Sequence, residues 1–325
     1  MKRKLSQHDS YERIFQKEGD ATPRVHYRRI GLDDERADIY YYKFGIEHLK
    51  GGLIAKLKEY LSQLEKSVIL DAGCGKGTDS LFLANISPNY KIIGVDISPS
   101  GIKIARSKAT NNKDSLFFLI CDITKLPFKK ESFDAIYSYA TLEHVADPCE
   151  AIRSFITVLK DRGILVIGVP SDTYWKGWYL PNYLVNRVLK RNPQYHAVPK
   201  NEILGCINYE MNIVEYDVIG FRPPENYLKF IPKFAFEKTI NWFLLIEDAF
   251  RTLGLARFLY MQIFVFVKRS NIIKNISFRQ KKIKLIPSLV LTLSSLLIYV
   301  PIWIQISLQL LRKLIIKNFI QVIPK

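Results

Sequence analysis

Ten residues, Val68-Ile69-Leu70-Asp71-Ala72-Gly73-Cys74-Gly75-Lys76-Gly77, constrain this chain more than any others. An apolar run ends in an acid, and three glycines follow at alternate positions. This is the pattern of a buried strand entering a turn where backbone comes very close to a ligand. Glycine suits such a turn because it has no Cβ to block the approach and accepts positive φ. A helix is predicted from about Thr78, which sets the turn at a helix N-terminus, a place suited to polar or anionic groups. The spacing is Gly-x-Gly-x-Gly with an acid two residues ahead, not the Gly-x-Gly-x-x-Gly of dinucleotide-binding turns.

The segments that follow alternate between strand and helical spacer. Lys91 to Val95 reads as a second buried strand closed by Asp96. That acid falls about 20 residues past the glycines, where α/β folds place a carboxylate on a ribose diol. A charged acceptor makes the stronger hydrogen bonds to hydroxyls. Leu116 to Ile120 reads as a third strand, followed by Cys121-Asp122-Ile123. After the loop Leu126-Pro127-Phe128, Ser132 to Ser138 reads as a fourth strand and Gly163 to Val169 as a fifth, with Asp161-Arg162-Gly163 as the turn before it. Asn212 to Gly220 and Met261 to Val267 read as the sixth and seventh. Strands separated by helical spacers predict βαβ units, hence a doubly wound, Rossmann-like α/β fold with a seven-stranded, mostly parallel sheet.

The glycine turn, Asp96, Asp122 and the phrases Leu126-Pro127-Phe128, Phe133-Asp134-Ala135-Ile136 and Leu142-Glu143-His144-Val145-Ala146-Asp147-Pro148 come in a fixed order. Over about Ser67 to Pro170 the series resembles the class I S-adenosylmethionine-dependent methyltransferases, particularly the quinone-biosynthesis type. Asp161-Arg162-Gly163 departs from the family's usual Pro-Gly-Gly, which bears on turn geometry. The resemblance implies S-adenosylmethionine as cofactor. It also implies that Asp71, Gly73, Gly75 and Gly77 line the methionine moiety and that Asp96 holds the ribose hydroxyls. Ile97 would pack on the adenine, Asp122 would bond the adenine amino group, and Ile123 would add an apolar wall. Tyr139 and Ala140 would sit beside the sulfonium. An oxygen acceptor needs a general base. His144 is the first candidate, because imidazole titrates near neutral pH, and Glu143 the second. The alternative for His144 is a helix-capping or packing role near Pro148.

The net charge of +17 is concentrated at one end of the chain. Eleven basic and no acidic residues lie from Lys268 to Lys325, which leaves 37 basic against 31 acidic residues before it, about +6. Leu285 to Leu311 is an uncharged run of 27 positions, flanked by Arg279, Lys281, Lys282 and Lys284 on one side and Arg312, Lys313 and Lys317 on the other. About 20 apolar residues span a bilayer. Beyond Pro301, Gln305, Gln309, Arg312, Lys313, Lys317 and Gln321 recur at helical spacing, as in a helix lying in the membrane interface. The basicity is therefore read as membrane-directed through residues 285–320, with no nucleic-acid partner. Either a spanning or an interfacial geometry fits. No signal-peptide h-region follows Met1-Lys2-Arg3-Lys4. Because the implied cofactor is cytosolic, the catalytic domain should face the cytoplasm.

Four cysteines (Cys74, Cys121, Cys149, Cys206) and five histidines show no paired or ligand spacing, so neither a disulfide nor a zinc or other metal site is expected. The predicted organisation is an N-terminal helical cap over 1–50, the α/β domain over 51–269 with lid or insert segments at 171–210 and 223–260, and the apolar tail over 270–325. The first lid segment is rich in aromatics and carries His196, a further acid–base candidate. The second holds Phe230, Phe234, Phe236, Trp242 and Phe243, as an apolar substrate mouth or a helical cover for the sheet. Tyr27 and Arg28 are read either as touching the cofactor or as packing on the surface. The function expected is methyl transfer to an oxygen or carbon of a lipid, lipid-linked saccharide or isoprenoid-type acceptor. The alternatives are a membrane-anchored cofactor-binding module without catalysis and a methyltransferase for a soluble metabolite.

Overall fold

The computed structural model describes residues 32–62, 66–109, 114–171, 198–221, 228–254, 256 and 259–269. Chain order is α1 (Asp34–Ile39), a π-helical stretch (Tyr40–Lys50), α2 (Gly51–Leu61), β1 (Ser67–Ala72), α3 (Thr78–Ala84), β2 (Tyr90–Asp96), α4 (Pro99–Lys108) and β3 (Leu116–Ile120). Next come β4 (Phe133–Tyr139), a 3-10 turn (Leu142–His144), α5 (Pro148–Val158), β5 (Leu159–Pro170), α6 (Lys200–Cys206), β6 (Met211–Ile219), α7 (Lys233–Thr252) and β7 (Met261–Lys268). All seven strands read from the sequence are present, in the order β3-β2-β1-β4-β5-β7-β6. β1 to β5 pair in parallel, and β7 runs antiparallel between β5 and β6.

The central strands β1, β4 and β7 are buried on both faces and are correspondingly apolar, while the edge strands β3 and β6 are partly exposed. Successive side chains point to opposite sides. Ile69, Ile92, Ala135 and Val166 face the core built with α2, α3, α4 and α7, through residues such as Leu53, Leu57, Leu83, Ile102, Phe236 and Phe243. Leu70, Val95, Ile136 and Leu165 face the core built with α5 and α6, through Ile152, Phe155 and Ile203. Phe236 and Phe243 of the second insert are thus a helical cover of the sheet, while Phe234 is 88% exposed.

Polar side chains close the ends of the elements. Ser98 caps α4 by accepting from Gly101 N, and Asp147 caps α5 by accepting from Glu150 N. The cap of α5 is therefore Asp147 and not His144. Buried Lys268 donates to the Ile156 and Leu159 carbonyls at 3.0 and 2.8 Å, satisfying acceptors that the end of α5 leaves open. Asp134 accepts from Val68 N at 2.8 Å and pairs with Lys160 at 2.8 Å, pinning the start of β4 to β1.

Two expectations need correction. Asp161-Arg162-Gly163 lies inside β5, where the register jumps from Phe133↔Leu159 to Ala135↔Ile164. The extra residues bulge out with Arg162 at φ 60°, so the turn interrupts the strand and does not precede it. The absence of disulfides is also overturned. Cys149 and Cys206, 57 residues apart, are bridged with their Cα atoms 4.7 Å apart, because α5 and α6 pack side by side. Cys74 and Cys121 are free and buried. The tail at 270–325, Tyr27, Arg28, His196 and the aromatics of 172–197 lie outside the described residues. Among the described residues, no helix is long and apolar enough to cross a membrane.

Candidate functional site

The parallel strands β1 to β4 all end on one side of the sheet, and the carboxyl ends of parallel strands are where such folds bind ligands. The glycine turn lies there, with Gly73, Gly75 and Gly77 at φ 87°, 52° and 71°. Two of these glycines are also demanded by space. A Cβ on Gly73 would come within 2.2 Å of Thr141 Cγ2, and one on Gly77 within 2.7 Å of Phe118 Cζ. Gly77 in the left-handed region leads into α3 at Thr78.

The turn's amides are directed at β2. Gly73 N and Cys74 N donate to Val95 O at 2.8 and 3.0 Å. Gly75 N donates to Asp96 Oδ2 at 2.8 Å, and Asp96 Oδ1 accepts from Ser98 N at 2.9 Å. The two sequence motifs are therefore one structure, in which the carboxylate at the end of β2 is oriented by the glycine turn itself. A carboxylate held in place by backbone amides is a pre-oriented acceptor of the kind that suits a diol. Ile97, beside Asp96, is 48% exposed and offers an apolar surface next to the carboxylate. Asp122 is exposed, and its Oδ1 accepts from Thr124 N and Oγ1 at 2.9 and 2.8 Å. Ile123 differs from Ile97: it is 6% exposed and packs in the α5-side core.

On the β4 side, Ala140 takes φ 51°, unusual for a residue with a Cβ, while its N–H donates to Gly168 O at 2.8 Å. That conformation turns the chain so that Thr141 meets the glycine turn, with Oγ1 3.1 Å from Tyr139 O and 3.4 Å from Gly73 O. The 3-10 turn then carries Glu143 and His144. Glu143 is 4% exposed, and burial raises its carboxyl to about pKa 8. Its Oε2 has no hydrogen-bond partner among the described residues. His144 is partly exposed, with Nε2 3.9 Å from Glu143 Oε1, too far for a hydrogen bond.

Asp71 is buried beneath the turn and not open to it. Its Oδ2 accepts from Ser80 Oγ at 2.5 Å. Burial, reinforced by neighbouring Asp79, pushes its carboxyl up to about 7. Asp79 in turn pairs with Lys50 at 2.5 Å and accepts from Tyr137 Oη at 3.4 Å. The Lys50 ammonium also stands 5.5 Å over the Tyr139 ring. Sequence reasoning missed Lys50, Asp79, Ser80, Tyr137 and Thr141. Only Asp79, an acid in the first turn of α3, had a local signal, since acids favour helix N-termini.

The glycine cradle, the oriented acid and the exposed apolar wall fit a nucleoside-bearing cofactor. Comparisons with known proteins agree on the family. Residues 64–216 match the family described as methyltransferase domain. A stretch of 158 residues is 39% identical to an uncharacterized 37.1 kDa protein of a Streptomyces fradiae transposon, covering 48% of this chain and 43% of that one. Erythromycin 3''-O-methyltransferase of Saccharopolyspora erythraea is 33% identical over 132 residues, 39% of this chain and 43% of its own. Ubiquinone biosynthesis O-methyltransferase of Bartonella quintana is 32% identical over 164 residues, 49% of this chain and 65% of its own. The chain thus spans less than half the length of the first two relatives.

Proposed function

We propose that this protein, whose residues 64–216 match the methyltransferase domain family, is a class I S-adenosylmethionine-dependent methyltransferase that methylates an oxygen or carbon of a lipid, lipid-linked saccharide or isoprenoid-type acceptor at a membrane. The observation that carries the catalytic half is the Gly75–Asp96 hydrogen bond, which supports a cofactor site assembled across β1 and β2. S-adenosylmethionine, when bound, supplies an electrophilic methyl group on a cationic sulfur. The protein's own contribution is orientation. Asp96 presents its carboxylate to the ribose hydroxyls, and Ile97 its apolar surface to the base. Asp122 stands at the end of β3 for the adenine amino group. Tyr139 and Ala140 form the wall where acceptor and methyl group meet.

His144 is the proposed base, taking the acceptor's proton as the new bond to the methyl carbon forms. Glu143 ranks second, because burial keeps it protonated through neutral pH. The acceptor class rests on different support. The uncharged run Leu285 to Leu311 with basic residues on both flanks favours a membrane-confined substrate, reached by a cytoplasm-facing domain. Two relatives carry O-methyltransferase names, in erythromycin and ubiquinone pathways, which supports an oxygen acceptor.

The test is calorimetric titration of the full chain with S-adenosylmethionine, alongside Asp96→Ala. The expected result is micromolar binding that the substitution weakens by about 2 kcal/mol, roughly 30-fold, the scale of a lost charged hydrogen bond. A folded wild type that binds no cofactor would sink the reading.

A further inference from the structure

Beneath the glycine turn lies a buried charge cluster that the methyl-transfer reading does not use. Asp71 is the penultimate residue of β1, Asp79 and Ser80 lie in the first turn of α3, Tyr137 comes from β4, and Lys50 is the last residue of the π-helical stretch. Asp79 pairs with Lys50 at 2.5 Å and Asp71 with Ser80 at 2.5 Å. Two carboxylates and one ammonium leave the cluster one negative charge when both acids are ionised. The cluster adjoins the site: Asp71 precedes Gly73 by two residues, and Lys50 lies over Tyr139.

S-adenosylmethionine and its demethylated product share every binding group and differ by the sulfonium charge. A nearby fixed charge therefore discriminates between them even where contacts are the same. We propose that Lys50 and Asp79 are specificity-determining residues, setting how strongly the site prefers the cationic cofactor over its uncharged product. This rests on the cofactor reading above and deepens it. Asp71 gives the preference a pH dependence. The groups facing it are Asp79 and Ser80 on α3, Lys50, Asp96 after β2, Cys74 in the turn and Tyr137 on β4. Below its titration the cluster is neutral, and above it the net charge is negative. Burial, the largest single influence on Lys50, opposes its charge, but the charge and hydrogen bond of Asp79 together with Tyr41 and Asp71 outweigh it and hold the ammonium above its ordinary range.

The experiment measures dissociation constants of the full chain for S-adenosylmethionine and S-adenosylhomocysteine between about pH 5 and 9, a range centred on the raised Asp71 titration. The ratio of the S-adenosylhomocysteine constant to the S-adenosylmethionine constant cancels the titration of the amino acid group they share. Lys50→Met makes the cluster more negative, so the ratio should rise by about threefold at the alkaline end, and its midpoint should move up. Asp79→Asn removes one negative charge, so the ratio should fall by about threefold and its midpoint should move down. Opposite movements are the signature, because structural damage weakens both ligands together and leaves the ratio alone. Ratios within a factor of about two in all three proteins overturn the inference. Absence of cofactor binding by wild type overturns the functional reading instead. If Lys50→Met does not fold, Asp79→Asn decides alone, since it keeps the shape of the side chain.

Discussion

Single side chains at this site are governed by burial as much as by identity. Asp71 and Asp96 both lie near strand ends, yet Asp96 orients the glycine turn at the site while Asp71 is enclosed with Ser80. Glu143 shows how far burial alone can act. Its folded carboxyl keeps its proton to about pH 8, against an ordinary value of 4.5. Between those values the folded chain holds a proton that the unfolded chain has released, so stability falls as pH rises through the window. Asp71 has the same sign over a lower window, ending at about 7. Glu143→Gln keeps the shape and removes the charge. Its melting temperature should exceed that of wild type at about pH 9 and converge with it near pH 5. An equal gap at both pH values would show that Glu143 does not titrate as its burial requires. The glycines were legible at this scale because turn chemistry is local. The burial of Glu143 was not, since an acid next to a histidine reads the same whether covered or bare.

Elements were legible where their pattern was periodic and continuous. All seven strands, five to twelve residues long, coincide with predominantly apolar segments bounded by turns or helices. Where two elements must meet, the sequence is silent. Cys149 stands in the first turn of α5 and Cys206 ends α6, and only the packing of those helices makes them partners. The bridge closes a loop that includes β5 and residues 172–197. Chain entropy alone assigns it about 4 kcal/mol, which corresponds to roughly 10 °C in melting temperature for a domain of this size. Reductant should lower the melting temperature of the oxidised protein by several degrees, and Cys149→Ser should be insensitive to it. Peptide mapping without reduction should recover the 149–206 crosslink.

At the scale of the whole molecule, the sheet's topology decides where the tail leaves. Because β7 is antiparallel, its last residue, Lys268, pairs with Met211 at the start of β6, and Val267 pairs with Ile164 early in β5. The chain therefore exits at the end of the sheet opposite the glycine turn. Residues 270–284 can extend to about 50 Å, while a domain of this size has a radius of gyration of about 18 Å. An anchor in 285–320 can thus hold the site toward or away from a bilayer. The full chain should sediment with membranes and resist a high-salt wash, and a chain lacking 270–325 should be released. Release of the full chain by salt alone would mean that the basic flanks, not the apolar run, make the attachment.

The sequence by itself determined the strands, their order along the chain, the glycine turn and the acids at the strand ends. Each of these is written in contiguous residues, as a hydrophobic period, a turn that only glycine accepts, or an acid at a set distance beyond it. Only the tertiary structure decided that Lys50 meets Asp79 across 29 residues and Cys149 meets Cys206 across 57. It also decided that Ile123 joins the core while Ile97 stays half-exposed, and that Asp71 and Glu143 lose their water. Desolvation and long-range pairing are properties of what the folded chain brings alongside a residue, and no local pattern encodes that.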